Sequence, residues 1–204
     1  MNKQEIKYII LEELALILEN YKVVDLYTDF ASYSKYSSLE KHKKVVPKAE
    51  NIIKYWINKV KGNFKININK VYVIDFWSKE SIEAIPDSAV GQFIKKHSVK
   101  ALYDPKKNNI YISPSEILGE DFPLLHELSH AVYYQNKKLF MTPALINAFE
   151  KDKDEWKKFE PRGGITIGSE EKEFICDFLA TFIEDKGEAQ RYYPNYYQAF
   201  IKIF

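Results

Sequence analysis

An α+β fold is what this sequence predicts, and two contrasts carry that expectation. β-type alternation is confined to the stretch before Pro114, whereas helical periodicity with start and stop residues runs through nearly everything after it. At 204 residues, 46% of them apolar, the chain is long enough for one domain with a sizeable core. We expect a single domain over residues 1–204, with a sheet-bearing lobe over 1–118 and a mostly helical lobe over 119–204.

The elements follow in order. Ile6, Ile9, Ile10, Leu14, Ile17 and Leu18 recur at helical spacing, and Glu12, Glu13 and Glu19 interrupt them. This is an amphipathic helix, not a signal-peptide core or a membrane span, and no leader is expected. Residues 29–44 are a loosely patterned helix or loop. Val46-Pro47 opens a second helix, with Pro47 in its first turn, Ile52, Ile53, Trp56 and Val60 as its stripe and Gly62 as its stop. From Phe64 to Phe76, Phe64, Ile66, Ile68, Val71 and Val73 alternate as in a strand. Residues 99–113 form a hairpin around an Asp-, Pro- and Asn-rich turn. Helices then follow at about 121–136 and at about 142–159, the latter with Thr142 as cap and Pro143 at its first position. A loop at 160–168 holds three of the seven glycines. Ser169 caps a helix to about Asp185, with Glu170 and Glu171 at its positive end and Gly187 as its stop. Pro194 starts a short last helix.

Composition excludes several functions. Thirty Lys+Arg against 29 Asp+Glu leave a formal charge of +1, and arginine occurs only at 162 and 191. Base readout and phosphate forks favour arginine, so no nucleic-acid partner is expected. Scarce glycine argues against a glycine-rich nucleotide loop. The single cysteine, Cys176, precludes an internal disulfide and reads as a small packed residue. His42 and His97 read as surface histidines in lysine-rich stretches.

His126-Glu127-Leu128-Ser129-His130 is an HExxH motif. Helical residues four apart lie about 40° apart, so both imidazoles can reach one ion, with Glu127 beside them as a non-ligating base. With four histidines and 204 residues in all, such a motif arises by chance in fewer than about 1% of chains. Zn2+ suits two imidazoles plus a carboxylate with one open position. No histidine follows His130, so the third ligand is acidic. The helix after Ser169 carries Glu173, Asp177, Ala180 and Glu184 on one face. Alone this would be a solvated face. Coupled to HExxH, it offers Glu173 as ligand with Asp177 orienting a ligand histidine; Asp177 as ligand with Glu173 behind it is the alternative.

The segments Leu125-His-Glu-Leu-Ser-His-Ala-Val132 and Glu171-Lys-Glu-Phe-Ile-Cys-Asp-Phe-Leu-Ala180, with the aromatic tail 196–204, resemble the glutamate zincins. More narrowly they resemble the catalytic domain of anthrax lethal factor and the Pro-Pro endopeptidases. The resemblance covers about residues 122–204. It implies a zincin-like fold: a small twisted sheet with an edge hairpin, followed by a mostly helical lobe. It implies Zn2+ held by His126, His130 and Glu173, Glu127 as general base and Asp177 as supporting acid. The implied activity is a metalloendopeptidase, of a secreted toxin-like kind, cutting an extended protein or peptide segment held along the hairpin. Tyr103, Ile110, Tyr111 and Ile112, with Gly163, Gly164 and Thr166 of the glycine-rich loop, would line that cleft. A monomer is expected, and a cytoplasmic regulatory protease is the alternative for a chain with no leader. One residue departs from the family: seven before Glu173, where a tyrosine would steady the oxyanion, stands Thr166. Tyr133, Tyr134, Tyr192, Tyr193 or Arg162 could substitute. The competing reading is a weak or inactive zinc-bearing domain that docks a protein partner.

Overall fold

A computed structural model describes residues 22–25, 39–74, 79–97, 99, 101–113, 116–117, 122–158 and 169–204. The expected N-terminal helix and the glycine-rich loop, including Gly163, Gly164 and Thr166, lie outside these residues. The described chain is α-rich with one small mixed sheet, as an α+β fold requires. Strand β1 (Lys22–Asp25) is followed by helix α1 (Leu39–Lys61), strand β2 (Lys70–Val73), helices α2 (Lys79–Glu83) and α3 (Ser88–His97), and the hairpin β3 (Ala101–Asp104) and β4 (Asn109–Ile112). Six helices complete it: α4 (Phe122–Gln135), α5 (Lys137–Phe140), α6 (Pro143–Lys158), α7 (Glu170–Glu184), α8 (Lys186–Tyr192) and α9 (Pro194–Phe200). No helix among the described residues is long and apolar enough to cross a membrane.

The sheet order is β1-β2-β4-β3, parallel except for the antiparallel β3–β4 pair. Asn108, at the hairpin turn, takes the left-handed conformation (φ 52°) that Asn tolerates better than most residues. Period-two alternation sorts β2 and β4 onto two faces. Val71, Val73, Ile110 and Ile112 join the main core with α1 and α4. Tyr72 and Tyr111, in register across the strands and stacked 4.8 Å apart, join Ile85 and Ile94 on the other side. The main core runs without a break from Ala49 to Phe200, so the sheet-bearing and helical halves share one interior.

Three expected boundaries are corrected. The chain is helical on both sides of Pro47, so its missing N–H removes a bond within α1 and not an orphan donor at its start. The alternation from Phe64 is real in burial but not in pairing: Phe64, Ile66 and Ile68 are buried and their neighbours exposed, yet only Lys70–Val73 joins the sheet. Residues 65–67 instead bond to the end of α4, where Gln135 donates to Asn67 O (2.8 Å) and accepts from Asn67 N (2.7 Å), and Asn136 donates to Lys65 O. Gly187 stops nothing. Asp185 breaks the helix and caps α8 by accepting from Gly187 N and Glu188 N. The other helix starts fall where the caps put them: Thr142 accepts from Leu145 N and Ser169 from Lys172 N.

Candidate metal centre

The site lies where α4 meets α7. Leu124, Leu125, Leu128, Ala131 and Val132 are fully buried and lock α4 into the core. His126 and His130 leave its edge together, their side chains 20% and 11% exposed. The acidic face of α7 is not solvated. Glu173 (9% exposed), Asp177 (2%) and Ala180 are buried, and Glu184 alone of that row is exposed. Phe174, Phe178 and their ring contacts with Tyr193 and Tyr196 hold the opposite side of α7 in the core. That anchorage fixes the helix rotation that turns the carboxylates toward α4.

Glu173 Oε2 lies 3.3 Å from His126 Nε2 and 3.5 Å from His130 Nε2. The three ligand atoms fall within 4.8 Å of one another, and the group can hold a metal ion. Between the two acids, the geometry puts Glu173 at the centre and Asp177 behind it. Asp177 Oδ1 accepts from His126 Nδ1 at 2.8 Å, and its Oδ2 accepts from Trp156 Nε1 at 2.9 Å. Glu173 Oε1 pairs with Lys172 Nζ at 2.9 Å, so its two oxygens have different partners. Glu127 is buried beside the histidines (9% exposed), and among the described residues no hydrogen bond or ion pair occupies its carboxylate.

The charges are strongly coupled. Burial is the largest influence on His126 and opposes its charged form. The bonds to Asp177 and then Glu173 outweigh it and push its pKa up to about 10. Burial would raise Glu173, but its bonds to His126 and His130 hold it well below the usual carboxylate range. In the metal-free protein His126 thus carries a proton that a metal must displace. Displacing that proton is expected to raise metal affinity about tenfold per pH unit until pH passes about 10. Near pH 8 about two protons are then expected per zinc bound, one from His126 and one from the metal's water. Calorimetric titration in buffers of different ionisation heat counts them; release of only the water proton would mean that His126 is neutral beforehand.

The hairpin places its residues unevenly. Ile110, Tyr111 and Ile112 lie on β4, whose backbone pairs with β2 on one side and β3 on the other, so they cannot hold an extended peptide. Of the two hairpin strands, only β3 lies at an edge of the sheet among the described residues. Tyr103, on β3, is buried with its hydroxyl donating to Asn108 Oδ1. Among the substitutes for the absent tyrosine, Tyr133 points to Met141 Sδ, and Tyr193 packs on the far side of α7. Tyr134 is 42% exposed, one turn beyond His130, with the two rings 6.5 Å apart. Arg162 lies outside the described residues.

Three neighbours of the site escaped the sequence reading. Trp156 shares the buried stripe of α6, and a buried indole N–H needs an acceptor, which was the available signal. Lys172 stands next to Glu173 in the chain. Cys176 is packed in the core, and its Sγ also lies 3.0 Å from His130 Nδ1. Its position three residues after Glu173 puts it on the same helix face. No protein-family model matches this chain, and no curated protein matches it, so the reading of this centre rests on its own residues.

Proposed function

We propose that this chain is a zinc-dependent metalloendopeptidase of the glutamate-zincin type, a single domain akin to the lethal-factor catalytic domain. The observation that carries the proposal is Glu173 Oε2 lying 3.3 and 3.5 Å from the two imidazole nitrogens of HExxH. Ligands about 2.0–2.1 Å from a tetrahedral zinc stand about 3.3–3.4 Å apart, so the spacing suits that ion. Two imidazoles and one carboxylate leave a fourth position for water or substrate, as hydrolytic zinc sites need.

His126, His130 and Glu173 would hold the zinc, which when bound polarises a carbonyl and makes water ionise near neutral pH. Glu127 takes the proton of the attacking water and hands it to the leaving amine nitrogen. Asp177, fixed by Trp156, keeps the Nδ1 proton on His126 so that Nε2 faces the ion. Tyr134 takes the oxyanion role in place of the tyrosine that Thr166 replaces. The substrate is an extended protein segment, added antiparallel or parallel to the open edge of β3 by main-chain hydrogen bonds.

Incubation with a peptide library, with and without chelator, tests the reading by mass spectrometry. Cleavage products that vanish with chelator and return with zinc are expected. Stoichiometric zinc without any product would favour a docking domain instead.

A further inference from the structure

We propose that Cys176 is the positioning residue for His130: its sulfur accepts the imidazole Nδ1–H and leaves Nε2 to the metal. This rests on the metal site proposed above. The two ligand histidines have different supports. His126 leans on the carboxylate of Asp177 at 2.8 Å, whereas His130 Nδ1 meets Cys176 Sγ at 3.0 Å. Its other nitrogen, Nε2, already faces Glu173 Oε2. A neutral imidazole carries one N–H, so an ion on Nε2 puts the proton on Nδ1. That N–H is buried and needs an acceptor, or its desolvation goes uncompensated. Cys176 is fully buried, so its thiol meets the imidazole without water competing.

A thiol has a physical advantage here over a second carboxylate. Glu127, Glu173 and Asp177 already bring three acids to the site, with Lys172 paired to one of them. Another buried carboxylate would add charge that nothing on α7 neutralises. A neutral sulfur orients the ring and adds none. It is also a weak acceptor, so His130 is the less strongly polarised of the two imidazoles.

The test compares wild type, Cys176→Ser and Cys176→Ala. Zinc affinity is measured by competition with a chromophoric chelator, and the His130 ring of the zinc-loaded protein by nitrogen–proton NMR. Cys176→Ala is expected to weaken zinc binding about tenfold and to speed exchange of the Nδ1 proton with water. Cys176→Ser, which keeps an acceptor, is expected to stay within about threefold of wild type. Cys176→Val, which fills the space without an acceptor, carries the same expectation as alanine and covers a folding failure of that variant. Alanine and valine variants with wild-type affinity and an unchanged Nδ1 proton would overturn the role of Cys176 alone. A wild-type protein that takes up no zinc would overturn the metal site and this role with it.

Discussion

Glu127→Gln is expected to lower peptide turnover by about 10²–10⁴-fold while zinc content stays at wild-type level. The size follows from what the substitution removes. Glutamine keeps the shape of the side chain, but its amide cannot accept a proton from water and return it. Ligation is untouched, because the metal-capable group consists of His126, His130 and Glu173. Glu127 sits beside them, buried to 9% exposure, with no described partner tying its carboxylate down. A carboxylate kept there for stability would be expected to have such a partner, since burying an unpaired charge is costly. The assay is initial-rate hydrolysis of a cleaved library peptide, beside metal analysis of the same preparation. Wild-type turnover by the Glu127→Gln protein would remove Glu127 from the mechanism. Loss of zinc together with turnover would show that Glu127 supports the site and does not act as its base.

HExxH was legible because its spacing is local: one helix turn brings His126 and His130 together whatever else the chain does. Glu173 was legible in part. The sequence put Glu173 and Asp177 on one helix face but could not tell ligand from support. That difference depends on how α7 is rotated against α4, which the packing of Phe174 and Phe178 decides. Cys176 is packed in the core as expected, but its contact with His130, 46 residues away, was not legible for the same reason. The alternation of Phe64, Ile66 and Ile68 correctly gave burial, yet burial alone does not assign a pairing partner, and the end of α4 claimed that segment. Gly187 misled because a glycine after a helix marks a stop only when it takes the terminating conformation. Here Asp185 had already ended α7 and used the Gly187 N–H to begin α8. The hairpin was read correctly from its turn, but which of its strands is the edge is a property of the whole sheet.

Asp177→Ala is expected to weaken zinc binding about 10–100-fold and to destabilise the protein by about 2–4 kcal/mol. Both effects have one cause. The carboxylate is 2% exposed and accepts one bond from each of two elements, His126 on α4 and Trp156 on α6. Its loss removes the acceptor of the buried indole N–H and of the partly buried His126 Nδ1–H, and frees the His126 ring to turn. Trp156→Phe removes only one donor and is expected to cost about 1 kcal/mol. On the Asp177→Ala background the same change should cost little, because the bond it removes is already gone; the double-mutant cycle in urea measures that coupling. Asp177→Asn separates charge from shape. Its amide has one oxygen to accept with, and its NH₂ must then face either His126 Nδ1–H or the indole N–H, which can only donate. Asparagine is therefore expected to bind zinc between wild type and alanine, because its oxygen serves His126 only by turning its NH₂ against the indole N–H. Wild-type zinc affinity in Asp177→Ala would mean that His126 is oriented by packing, and that the bond to Asp177 follows from the fold without serving the metal.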